Sequence, residues 1–115
     1  MNNKVYKLPI IVKHEVRVVE HELVTYVRTR DIADALGIKQ PFQFTKDIRV
    51  RLGDVVLNGT DTQDFRSPDD NSRTPYVRLS HMIEFLKGGV RKHKTNGTVS
   101  EVIDILEQHM NKPTE

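Results

Sequence analysis

Thr29-Arg30-Asp31-Ile32-Ala33-Asp34-Ala35-Leu36-Gly37-Ile38-Lys39-Gln40-Pro41 is the stretch that decides how this chain is read. Thr29 can accept hydrogen bonds from the first free amides of a helix, the body that follows is short and helix-favouring, and Gly37 can take the left-handed conformation that ends it. Ile38-Lys39-Gln40 makes a turn, and Pro41 suits the first turn of a second helix because its missing N–H is not needed there. Phe44, Ile48 and Leu52 then recur at a four-residue spacing, forming one apolar stripe, and Gly53 stops the helix. Residues 30–52 are expected to form helix, tight turn, helix, with Ala33 small where the two must cross.

Upstream lies β-rich sequence. Val16 and Val18 share one face of residues 14–20, while Val24 and Tyr26 alternate with Leu23, Thr25 and Val27 in residues 23–28, so the two segments predict a hairpin joined at Glu20-His21-Glu22. No Asn-Gly or Asp-Gly sets its turn type. Residues 4–12 are also strand-like, but Pro9 lacks a ladder donor and places them at an edge or a strand start.

Downstream, residues 53–73 crowd turn formers around Val55-Val56-Leu57 and predict a polar hairpin or a mobile loop. Thr74–Leu79 is a strand candidate, Ser80 a cap, and Met82, Phe85 and Leu86 one face of a short helix that stops at Gly88-Gly89. Residues 90–97 hold Arg91-Lys92-His93-Lys94 and the turn Asn96-Gly97, an exposed basic loop. Thr98-Val99-Ser100-Glu101 matches a capping box opening a C-terminal helix over 98–111, with Val99, Val102, Ile103, Leu106 and Met110 on one stripe. The whole is an α+β fold: a small antiparallel β-sheet with short helices, including a helix-turn-helix-like pair, and a C-terminal helix, in a single domain of 115 residues.

Composition narrows the function classes. There is no cysteine, which removes disulfide scaffolds, thiol nucleophiles and cysteine-containing zinc sites. His14, His21, His81, His93 and His109 stand apart, and none makes a metal-ligand spacing with a second histidine. Asp61, Asp64, Asp69 and Asp70 match no calcium loop. No P-loop, GxGxxG or GxSxG is present, so the expectation is a non-enzyme without metal or cofactor. No apolar run is long enough for a membrane span and no signal-peptide pattern opens the chain, which points to a cytoplasmic protein with no membrane partner. The net charge is only +2, but it is segregated along the chain. Residues 1–53 carry ten Lys and Arg against six Asp and Glu, and residues 76–97 five against one; both come to +4. Residues 54–75 and 98–115 each come to −3. A polyanion responds to local potential, so a fold that joins the two basic blocks could bind one.

Opposite its apolar stripe, the second helix and its turn present Lys39, Gln40, Gln43, Lys46, Arg49 and Arg51. Lys and Arg meet phosphates or guanine, and Gln pairs with adenine, so these residue types suit a nucleic-acid groove. Arg91, Lys92 and Lys94 would hold the backbone of the same duplex.

Tyr26 through Ile38, with its Asp-x-Ala-x-x-Leu-Gly pattern at Asp31, Ala33, Leu36 and Gly37, resembles the opening of the BRO family N-terminal domain shared with phage antirepressor-like proteins. Tyr76-Val77-Arg78-Leu79-Ser80-His81-Met82-Ile83-Glu84-Phe85-Leu86 is similar to that family's later strand and short helix, and the resemblance covers residues 14–90. The turn after the first helix reads Lys39-Gln40-Pro41 where the family has an Asn-Pro-like turn, and an acidic loop replaces part of the middle. The resemblance implies DNA binding with regulatory output in a phage, prophage or mobile-element setting. Two functions stay open: a regulator that binds duplex DNA through the basic helical face, or an antirepressor-like module that captures a repressor or host protein through Asp61, Asp64, Asp69 and Asp70 or the C-terminal helix. A homodimer paired through the 98–111 helix is open under both.

Overall fold

The β-hairpin expected from the valine alternation forms around a very short connection. In a computed structural model, which describes residues 4–11, 14–21, 23–52, 56–58, 75–90 and 95–110, His21 of β2 (His14–His21) faces Val24 of β3 (Val24–Arg28). Leu23 in the connection adopts a left-handed backbone, φ +67°, and is fully exposed. Register is set by the apolar pairs: Val18 lies opposite Val27, and Val27 in turn opposite Val77. β1 (Lys4–Ile11) pairs with β2 alone at the sheet edge, and its register shifts between Pro9 and Ile11, where the missing proline donor is tolerated. β4 (Val56–Asn58) and β5 (Pro75–Arg78) pair antiparallel, completing the order β1-β2-β3-β5-β4. The apolar piece expected in a polar hairpin or loop is therefore the strand β4, and residues 59–74 lie outside the described residues.

Among the described residues, four helices complete the expected α+β architecture: α1 (Thr29–Ala35), α2 (Pro41–Leu52), α3 (Leu79–Lys87) and α4 (Val99–Met110). Val16, Val18, Val27 and Val77 join Ile32, Leu36, Phe44, Ile48, Met82, Phe85 and Leu106 in the main core. Because strand side chains alternate, Val19, Tyr26 and Tyr76 gather separately in a second, smaller cluster.

Two expected caps are displaced. β3 runs straight into α1 and β5 straight into α3, so the last strand residues, Arg28 and Arg78, occupy the N-cap positions with extended backbone. Thr29 is consequently the first residue of α1 and is buried, with its hydroxyl 2.9 Å from that of Thr45. Ser80 is likewise inside α3 and exposed. Thr98 does precede α4, its carbonyl accepting the Val102 N–H at 3.0 Å. Its hydroxyl reaches further, to the carbonyl of Ala35 at 3.4 Å and to Asn96 Oδ1.

The C-terminal helix uses its apolar stripe within its own chain. Val102 and Leu106 are fully buried, with Val99, Ile103 and Ile105 packed against the core, while Met110 is partly exposed. A Lys87–Glu107 ion pair of 2.6 Å ties α4 to α3. Tyr6 ties it to the sheet, donating to Glu20 Oε2 at 2.9 Å and lying 2.7 Å from His109 Nε2. No helix among the described residues is long and apolar enough to cross a membrane.

Candidate nucleic-acid interface

Three joints fix the angle between α1 and α2. At the first, the Thr29 hydroxyl meets that of Thr45, which itself donates to the Pro41 carbonyl at 3.0 Å and so anchors the first turn of α2. At the second, Ala33 is completely buried in the main core, where a larger side chain would overpack its surroundings. The third is the turn itself. Ile38 N–H bonds back to Ala33 O at 2.9 Å and Gly37 N–H to Asp34 O at 3.1 Å, the paired bonds of a Schellman ending, with Gly37 at φ +76°. Ile38 is buried beneath it.

The turn is braced from a part of the chain the sequence suggested was only an exposed loop. Asn96 donates its backbone N–H to Leu36 O at 2.8 Å and its side-chain Nδ2 to Ala35 O at 3.1 Å, so two carbonyls left over at the end of α1 are satisfied by the segment leading into α4. Asp31 secures the other end of α1: it accepts from the Arg17 backbone N–H at 2.8 Å and from Arg28 Nε and Nη2 at 3.0 and 2.9 Å. The spaced residues Asp31, Ala33, Leu36 and Gly37 thus act respectively as anchor to β2 and Arg28, buried small residue, core side chain and helix ending.

Gln40 caps α2 through its backbone, its carbonyl accepting from Gln43 and Phe44 N–H at 3.1 and 3.2 Å. Phe44 and Ile48 point inward, and Phe44 meets Phe85 edge to face at 5.6 Å. Lys39, Gln40, Gln43, Lys46 and Arg49 are exposed, and at about 100° per residue the last three fall on one outward arc of the helix. Arg51 departs from the expected group. It lies about 140° round the helix from Lys46, its guanidinium stacks 4.3 Å over Phe85, and Nη1 donates to the carbonyls of Phe85 and Gly89 at 3.1 and 2.8 Å. Its position beside the apolar stripe makes it a clamp on the end of α3 instead of a member of the outward face. Arg91, Lys92 and Lys94 lie outside the described residues, as do Asp61, Asp64, Asp69 and Asp70.

Two residues that the charge pattern passed over complete the face: Phe42 is 90% exposed and Val50 is 77% exposed. Spaced four residues on either side of Lys46, they belong to the outward arc, and the sequence signal was that neither fits the stripe of Phe44, Ile48 and Leu52. The outer surface of α2 is therefore a band of cations and amides flanked by two bare apolar side chains.

A second feature is a polar hollow of about 250 Å³ lined by Lys7, His14, Glu15, Arg17, Arg28, Asp31 and Asp34. Its two signs of charge are balanced, and Asp31 in its lining is taken up by the Arg28 ion pair and by the Arg17 backbone N–H, which ties the start of α1 to β2. Among the described residues no three His, Asp or Glu side chains are placed to hold a metal ion. Compared with family models, with curated proteins and with solved structures, the chain finds no match in any of the three.

Proposed function

We propose that the protein is a small DNA-binding regulator of phage, prophage or mobile-element type that engages duplex DNA through the outward face of α2. One observation carries the reading: Gln43, Lys46 and Arg49 stand exposed on a helix, and Lys39 and Gln40 on the turn that enters it, while the helix's opposite face and that turn are locked into the fold. A duplex requires such a rigid presentation, because a helix enters the major groove as a unit with its N-terminal residues toward the bases. The resemblance of residues 14–90 to the BRO N-terminal domain supports the same assignment, and implies antirepressor-like regulation in the cytoplasm. Arg91, Lys92 and Lys94 would add contacts to the phosphate backbone.

Fluorescence anisotropy with a mixed-sequence duplex across a salt series tests this. Each phosphate contact contributes about 0.9 to the slope of log K against log salt, so replacing Lys46 and Arg49 by Gln should flatten it by ~1.8 if each meets one phosphate. A duplex that does not bind at low salt removes the proposal.

The exposure of Phe42 and Val50 favours one second reading, capture of a repressor or host protein by the same helix face. It predicts partner binding that depends on Phe42 and is indifferent to salt, with no affinity for duplex DNA.

A further inference from the structure

We infer that Phe42 and Gln43 make the α2 face a reader of A·T pairs in the major groove, Phe42 by packing on the thymine methyl group and Gln43 by pairing with adenine. The inference rests on the DNA-binding reading and adds to it a base preference and two specificity-determining residues.

The argument begins with position. Phe42 and Gln43 are the second and third residues of α2, the end of a recognition helix that approaches base edges, while Lys46 and Arg49 stand one and two turns further along the same arc. Both Phe42 and Gln43 are exposed, and nothing in the main core contains either side chain. The distance from Phe42 to Val50 along the axis is about 12 Å, and so covers roughly three to four base pairs at 3.4 Å each.

Groove dimensions select the major groove. A helix with its side chains is about 10–12 Å across, which the major groove admits at ~12 Å and the minor groove at ~6 Å does not. In the major groove the only apolar group on any base edge is the C5 methyl of thymine, and the bidentate partner of a glutamine amide is adenine N6 and N7. An aromatic ring beside an amide, with cations following, is chemically matched to an A·T pair flanked by phosphates. A G·C pair would set the ring against polar edges and offer the amide a poorer partner. The occupant that satisfies both the charge and the apolar side chains of this face is therefore a thymine-bearing duplex.

The test deletes the methyl from the DNA and the ring from the protein. Binding of the full chain is measured to a short alternating A·T duplex, to the same duplex with deoxyuridine in place of every thymidine, and to an alternating G·C duplex, by anisotropy at one fixed salt concentration and again over a salt series. The expected result is a preference for thymine over uracil of about fourfold per contacted methyl, weaker binding to the G·C duplex, and a thymine-to-uracil ratio near one for Phe42→Ala with the salt slope unchanged. Gln43→Ala should reduce the A·T over G·C preference while keeping the methyl effect. Phe42 is 90% exposed, so its replacement is compatible with the native fold, which circular dichroism checks. Equal affinity for the thymine and uracil duplexes, with a steep salt slope, overturns this inference and leaves DNA binding standing. Absence of binding to every duplex overturns both. Conversion of a dimer to a monomer by Phe42→Ala on size exclusion, with no methyl effect in the native chain, also overturns it and gives the ring to a second copy.

Discussion

Gly37→Ala probes the joint on which the presentation of α2 depends. The backbone there is at φ +76°, a region that costs an L-residue about 1–2 kcal/mol. The added methyl would also stand 3.2 Å from Asn96 Cβ and 3.3 Å from its Cγ and Nδ2. Asn96 cannot withdraw freely, because its N–H and Nδ2 are bonded to Leu36 O and Ala35 O. A shift of a few tenths of an ångström weakens those bonds, adding about 1 kcal/mol. The total is roughly 2–3 kcal/mol, a fall in Tm on the order of 10 °C for a domain of this size. Urea denaturation followed by circular dichroism measures it. Repeating the substitution in an Asn96→Gly background removes the contact and leaves only the backbone strain, so the cost should drop to about 1–2 kcal/mol and the cycle should return a coupling near 1 kcal/mol. Equal costs in the two backgrounds would refute the brace, and a cost below about 0.5 kcal/mol in the native chain would refute the strain as well.

Three further outcomes are expected. Arg51→Met should lower stability in urea by about 1–2 kcal/mol through loss of the bonds to Phe85 O and Gly89 O, yet leave the salt slope of the proposed DNA binding unchanged; a flatter slope would place Arg51 in the proposed interface. Burial, then the hydrogen bond to Glu20, then its charge, push the Tyr6 hydroxyl above its ordinary range. Since the folded value is the higher one, this contribution is complete below about pH 10 and is lost as pH rises through the alkaline region, so the urea midpoint should decline there and Tyr6→Phe should remove that decline. Leu23→Asn should raise stability by about 0.5–1 kcal/mol, because Asn tolerates the left-handed backbone and the exposed leucine forfeits no burial; a lower urea midpoint would contradict the strained turn.

Local periodicity carried most of the fold. The valine alternation placed β2 and β3, the stripe of Phe44 and Ile48 oriented α2, and Gly37 marked the end of α1, because each is a property of residues a few positions apart. Caps were misplaced at Thr29 and Ser80 because strand runs into helix without a loop at both sites, so an extended arginine supplies the N-cap geometry and no side-chain acceptor is needed. The role of Asn96 was illegible for another reason. Its partners, Leu36 and Ala35, lie about sixty residues away in the chain, and Asn-Gly is a turn signal wherever it falls. On the candidate site, charge patterning identified Lys39, Gln40, Gln43, Lys46 and Arg49 as outward residues but grouped Arg51 with them, since a cation that clamps carbonyls and one that faces solvent are the same letter until the neighbouring helix is in place.

On the proposed DNA-binding reading, the two faces of α2 separate stability from recognition. Phe44 and Arg51 bind the helix to α3, Thr45 binds it to α1, and Ile48 is buried in the main core. Lys46 is exposed, and Phe42 leaves nearly all of its ring in water, an arrangement that forfeits the stabilisation its burial would supply. Charge by itself would suit a solvated surface, and apolar exposure by itself would suit a protein contact. Their interleaving on one arc of a braced helix matches a surface that alternates phosphates with base edges, which is why substitutions at Phe42, Gln43 and Lys46 should alter binding while leaving the unfolding free energy within about 0.5 kcal/mol of the native chain.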